Sequence, residues 1–147
     1  MKLKINDKIP NSKVFILTAD GPSSFELENL FKNKKILLVS VPGAFTPTCA
    51  LEHIPGYVKY FEEFMIKGID ELFVIAVNDP FVMDAWIKSY KCIDMKYISD
   101  ASKSFMNDSG FFIDLSSIGL GERLSRFVML IENCEVKKIF DEEGGGL

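Results

Sequence analysis

Two stretches of the chain are apolar at nearly every position, "ILLVSV" (residues 36–41) and "LFVIAV" (72–77). Runs of that length and uniformity predict strands buried on both faces of a sheet. "KVFILTAD" (13–20) carries β-branched and aromatic residues up to the turn "ADGPSS", and "KYISD" (96–100) is a shorter run of the same kind; both predict strands. "RFVMLIENCEVKKIF" (126–140) predicts two antiparallel strands around a turn near Asn133, a residue type that tolerates unusual backbone conformations.

Between these runs the spacing turns helical. From Pro47 to Lys67, apolar residues recur at Leu51, Ile54, Tyr57 or Val58, Phe61, Phe64 and Met65. Pro55 and Gly56 interrupt that stretch, so a kink or break is expected near Ile54. "SSFELENLFKN" (23–33) has early polar and acidic residues and predicts a short helix. "DPFVMDAWIKSY" opens with Asp79 as N-cap and Pro80 in the first helical position. "ASKSFMNDSG" predicts a last short helix ended by Gly110. The alternation of strand and helix followed by two strands predicts an α/β fold with a mixed sheet.

Composition narrows the function. A chain of 147 residues, 48% hydrophobic, suits one compact domain over its whole length. The net charge is −4 and the longest basic cluster is "KNKK", which argues against a nucleic-acid partner. No apolar run approaches the roughly 18 residues of a membrane span. The opening "MKLKINDKIP" has neither a secretory apolar region nor Arg-rich transit character, so a cytoplasmic location is expected. Three cysteines, Cys49, Cys92 and Cys134, without C-x-x-C spacing and with one histidine, argue against both a disulfide framework and a structural zinc site.

The segment that changes the picture is "PGAFTPTC", Pro42 to Cys49, where a buried strand hands over to a helix. Pro47 suits the first helical position, and it pushes Thr46 into the extended conformation of an N-cap. Cys49 then becomes the third helical residue. Unpaired N–H groups and the helix dipole favour negative charge there. A thiol so placed can fall from about 8.5 toward roughly 3.5–7.5. Spacing alone leaves two readings open, a reactive thiolate or a small buried hydrophobe. His53 lies four residues on, on the same helical face, and serves either to tune the thiol or as a packed, hydrogen-bonded residue.

At these residues the chain resembles the peroxiredoxins, whose signature P-x-x-x-T-x-x-C is met by Pro42, Thr46 and Cys49. "PGAFTPTC…HIPGY", then "VNDPFVMDAW" and "GLGERLSRFVMLIE", are similar to the type-5, or type II, subfamily. The resemblance implies a thioredoxin-like α/β fold, with a mixed central sheet flanked by helices, and a thiol peroxidase that needs no cofactor or metal. By motif, Cys49 would be the peroxidatic cysteine that becomes a sulfenic acid. Thr46 would hydrogen-bond peroxide and thiolate, Arg126 would stabilise both, and Pro42 would shield the site. Backbone N–H groups of Gly43, Ala44, Phe45, Thr46, Thr48 and Cys49 would help bind peroxide oxygen. Arg123 is the weaker claimant, since the pattern puts it in the turn before the arginine-bearing strand.

Some members carry a resolving cysteine near the C-terminus, but this chain stops at "EEGGGL", about where that segment and a last helix would follow. Plant-type members carry one in the strand that here reads "LFVIAV". Cys92 and Cys134 match neither position, which leaves no assigned resolving cysteine. The resemblance therefore implies reduction by an external thiol, with glutathione, glutaredoxin or thioredoxin as partners, and a homodimer. The rival reading is a redox sensor or relay that keeps the thiol but passes oxidation to a partner protein.

Overall fold

The computed structural model describes residues 2–47 and 53–141. Seven strands form one sheet in the order β2-β1-β5-β4-β3-β8-β9: β1 (Lys13–Thr18), β2 (Gly21–Glu26), β3 (Lys35–Ser40), β4 (Glu71–Ala76), β5 (Lys96–Ser99), β8 (Phe127–Glu132) and β9 (Glu135–Asp141). A separate antiparallel pair, β6 (Phe112–Leu115) and β7 (Gly121–Leu124), flanks a single 3₁₀ turn at Ser116–Ile118. The helices are α1 (Leu27–Phe31), α2 (Ile54–Lys59), α3 (Phe61–Ile66), α4 (Pro80–Lys88) and α5 (Ser104–Ser109).

The central strands β3, β4 and β5 run parallel, while β8 joins β3 antiparallel and β1 joins β5 antiparallel, so the sheet is mixed. Alternation along β3 shows why its sequence is uniformly apolar. Ile36 and Leu38 enter one core, with Leu27 and Phe31 of α1, Phe105 of α5, and Phe111 and Phe127. Leu37 and Val39 enter the other, with Ile54, Phe61 and the α4 residues Met83, Trp86 and Ile87. A strand covered on both sides has no polar face to present.

The elements expected from the pattern appear, with corrections. Residues 23–26 do not begin a helix. They belong to β2, which pairs antiparallel with β1 from Lys13–Glu26 to Thr18–Gly21. Its exposed residues alternate with half-buried ones, and pairing with β1 overrides the capping character of its serines. The helix itself is confined to Leu27–Phe31. In the long helical stretch, the described part divides at Tyr60 into α2 and α3. Pro55 sits in the first turn of α2, just after His53, whose backbone is also helical; the stretch before it, where the kink or break expected near Ile54 would show, lies outside the described residues. The β6–β7 pair is unannounced in the sequence, because its strands are four residues each and half exposed.

Other details agree with the pattern. Asp79 caps α4, its carboxylate accepting from the Val82 N–H at 2.9 Å, with Pro80 next in line. Gly110 ends α5 with φ of 76°. Asn133 and Cys134 form the two-residue turn between β8 and β9, both with positive φ, as a tight hairpin of this kind requires.

Candidate active site

Strand β3 ends at Ser40, and the chain then enters the loop Pro42–Thr46. Pro42, Gly43 and Ala44 are buried, Thr46 is half-buried, and Phe45 is 58% exposed. Phe45 has φ of 61°, a left-handed conformation that costs a side-chain-bearing residue about 1–2 kcal/mol. Strain of that size persists only where surrounding contacts over-determine the backbone.

Those contacts come from three places. The Thr46 hydroxyl donates to the Gly43 carbonyl at 2.7 Å. The Ala44 N–H donates to Oδ1 of Asn78, just past β4, at 2.8 Å. Arg123 of β7 donates through Nη1 to the Pro42 carbonyl at 3.1 Å. Asn78 is itself held, since its own carbonyl accepts from the Ser99 hydroxyl at 2.6 Å. Pro47 is helical, and Thr46 stands just before it, as the N-cap reading requires.

Thr48 and Cys49 lie outside the described residues, so the helical position expected for the cysteine rests on the sequence pattern and on the placement of Pro47.

Arg126 reaches the site from the far end of the chain. Ser40 pairs with Phe127 in the β3–β8 ladder, which brings Arg126 alongside the exit of β3. The Ser40 hydroxyl also donates to the Ser125 carbonyl at 2.8 Å, fixing the approach. The residue is 2% exposed. Two placements correct the sequence reading: Arg126 lies in the junction just before β8, and Arg123 lies within a strand, β7. An arginine on a strand projects its guanidinium in a set direction, which is how Arg123 reaches Pro42.

Arg126 and His53 line one cavity of about 270 Å³, together with Leu37, Tyr57, Phe64 and Phe127. The His53 ring meets Tyr57 edge-on at 6.2 Å. The structure thus brings Pro42, Gly43, Ala44 and Thr46 together in one pinned loop, and His53 and Arg126 to the lining of one cavity. Sequence reading missed Asn78 and undervalued Arg123. "VND" after a buried strand is the signal available for Asn78, in the same stretch that supplies the Asp79 cap.

The other cysteines are poorly suited to peroxide chemistry. Burial pushes both the Cys92 and Cys134 thiols above the usual cysteine value, with nearby Asp94 and Glu62 adding to the rise at Cys92. Cys134 is buried and its S–H points to the Glu28 carbonyl at 3.7 Å.

The Redoxin family model matches residues 4–145. A putative peroxiredoxin-B of Candida boidinii is 39% identical over 150 residues, covering 98% of this chain and 90% of the relative. Peroxiredoxin-2D of Arabidopsis thaliana is 38% identical, covering 97% and 90%. Among solved structures, the Plasmodium falciparum antioxidant protein, a 1-Cys peroxiredoxin, superposes with a TM-score of 0.90 at 40% identity, covering 96% of this chain and 85% of that one. Reduced Prx3 of Vibrio vulnificus, in complex with hydrogen peroxide, superposes with a TM-score of 0.93 at 32% identity, covering 99% and 91%. By sequence and by fold, the chain belongs to the Redoxin family and, within it, to the peroxiredoxins, the thiol-dependent peroxidases.

Proposed function

We propose that Cys49 is the peroxidatic residue, acting on hydrogen peroxide and organic hydroperoxides within the site formed by the Pro42–Thr46 loop and Arg126. The observation that carries this reading is the convergence of a pinned loop and a buried guanidinium on the exit of β3, immediately before the helix start that precedes Cys49. A guanidinium stays charged at any working pH, and burying it is costly unless it faces anionic or polar groups. A thiolate at the start of the next helix supplies such a group.

In the reaction, the Cys49 thiolate attacks one peroxide oxygen, an S–O bond forms and the O–O bond breaks. The departing oxygen carries away the electron pair and takes a proton, leaving as water or an alcohol, and Cys49 becomes a sulfenic acid. Developing charge on that oxygen is met by loop N–H groups and by Arg126. One external thiol then displaces water to form a mixed disulfide. A second thiol releases Cys49 as thiolate and leaves as the disulfide of the two external thiols.

Glutathione, glutaredoxin or thioredoxin would act as reductant. A homodimer in the cytoplasm completes the proposal.

The test is steady-state peroxide consumption with glutathione or thioredoxin. Cys49→Ser should abolish turnover, while Cys92→Ser and Cys134→Ser should each keep at least half. Loss of nearly all activity in either of the last two, in a folded protein, would make that cysteine a resolving residue. Oxidation of Cys49 without turnover would favour a sensor or relay. Sedimentation of the reduced protein checks the dimer, and a monomer at micromolar concentration would count against it.

A further inference from the structure

We infer that Arg123 is a positioning residue of the peroxide site, setting the direction and strength of the Gly43 N–H through the Pro42 carbonyl. The inference rests on the reading of Cys49 and the loop amides given above and assigns that site a part nothing else in the chain supplies. Three consecutive groups of the loop are held from outside or by the loop itself. The Gly43–Ala44 peptide is fixed at both ends, its carbonyl by the Thr46 hydroxyl and its N–H by Asn78. The preceding peptide, Pro42–Gly43, is held at its carbonyl by Arg123. In a planar trans peptide the carbonyl and the N–H point in opposite directions, so fixing one fixes the other. A cationic donor on the carbonyl also polarises the peptide and makes its N–H a stronger donor.

The guanidinium is aimed by a second bond. Its Nε donates to the Leu120 carbonyl at 2.8 Å, three residues back, across a corner where Gly119 and Gly121 both have positive φ. With Nε anchored to the connection that leads into its own strand, Nη1 is the reaching arm. Lysine cannot make both bonds in this geometry, having one nitrogen on a flexible stem.

Gly43 shows how close the fit is. A Cβ there would lie 2.9 Å from Arg123 Nη1 and 3.1 Å from Thr46 Cγ2. The φ of Gly43 is not in the left-handed region, so the absence of a side chain answers to the approach of the arginine and not to an unusual backbone angle. The arginine can thus be disturbed from either side, by changing it or by filling the space it occupies.

The experiment uses the full chain, reduced, as wild type, Arg123→Lys and Gly43→Ala. Three quantities are read: exchange of the Ala44 amide by NMR, the Cys49 pKa from the pH profile of alkylation, and the second-order rate with hydrogen peroxide where Cys49 is fully ionised. Both variants should speed Ala44 exchange relative to amides of the central strands. Both should lower the rate about tenfold at full ionisation, the size expected for losing one charge-assisted hydrogen bond. Unchanged Ala44 exchange in both variants would overturn the proposal. So would a rate that returns to wild type once Cys49 is ionised, since Arg123 would then act only through the thiol pKa. Should Arg123→Lys fail to fold, Gly43→Ala decides by the same criteria. A wild-type protein that does not consume peroxide would sink the parent reading, and Ala44 exchange would still show whether Arg123 holds the loop.

Discussion

Arg126 is 2% exposed, and a guanidinium that deeply buried has to be matched by polar or anionic surroundings. Arg126→Lys keeps the charge and loses the planar fork. The rate with hydrogen peroxide should fall by about 10²–10³, the cost of removing an oxyanion donor, even at a pH where the mutant thiol is fully ionised. Competition against a second peroxidase measures this, and full recovery on ionisation would confine Arg126 to a pKa role. At this scale the sequence was legible where a motif names the residue. Pro42, Gly43, Ala44 and Thr46 fell where the pattern put them. Arg123 and Asn78 were not legible as site residues, because each acts through a partner 81 or 34 positions away. No local pattern records contacts at that separation.

Among the elements, the buried parallel strands were legible because burial on both faces leaves a continuous apolar run. Strand β2 was not, since an edge strand needs only alternate cover, and its serines read equally well as helix caps. Helix α5 carries a pH dependence that no pattern announced. It starts beyond Lys103, in a left-handed conformation, and its first N–H groups are met by Asp100, which accepts from Phe105 at 2.9 Å and Met106 at 2.8 Å. Burial pushes the Asp100 carboxyl up to about 6, the two N–H bonds oppose the rise, and the charge of Asp108 adds to it. In the unfolded chain the group titrates near 3.8. The folded state therefore binds the proton more tightly. Its stabilising contribution is complete below about 3.8 and is lost as pH rises through about 6. Urea unfolding at pH 5 and pH 7 should show wild type gaining on Asp100→Asn at the lower pH, by at most about 1.4 kcal/mol per pH unit. A wild-type-to-variant difference that is flat with pH, or that moves the other way, would refute this account of Asp100.

Across the whole molecule, two cores share one sheet, and Phe127 links the larger of them to the site. It is fully buried, packs against Phe111 with tilted rings 4.7 Å apart, follows Arg126 directly and lines the same cavity. Phe127→Ala should destabilise the fold by about 3–5 kcal/mol, measured by urea unfolding. Peroxidase activity should fall as well in conditions where the variant remains folded, because the ring is lost from the cavity that Arg126 also lines. Normal activity in a folded but weakened variant would separate the core from the site. The sheet's edges are guarded by ordinary means: Pro22 lies in β2, and Lys137, Lys138 and Asp141 lie in β9, residue types that discourage pairing between molecules.

The separation of 81 positions between Pro42 and Arg123 also sets an order of events during synthesis. A ribosome adding about 5–20 residues per second makes the loop roughly 4–16 seconds before it makes the arginines that hold it. Strand β3 waits slightly longer for β8, its antiparallel neighbour in the sheet. On the role proposed for Cys49, the nascent cysteine has through that interval only the chemistry of its own segment, without either guanidinium. On that same role, peroxide reactivity arrives only when β7 and β8 dock.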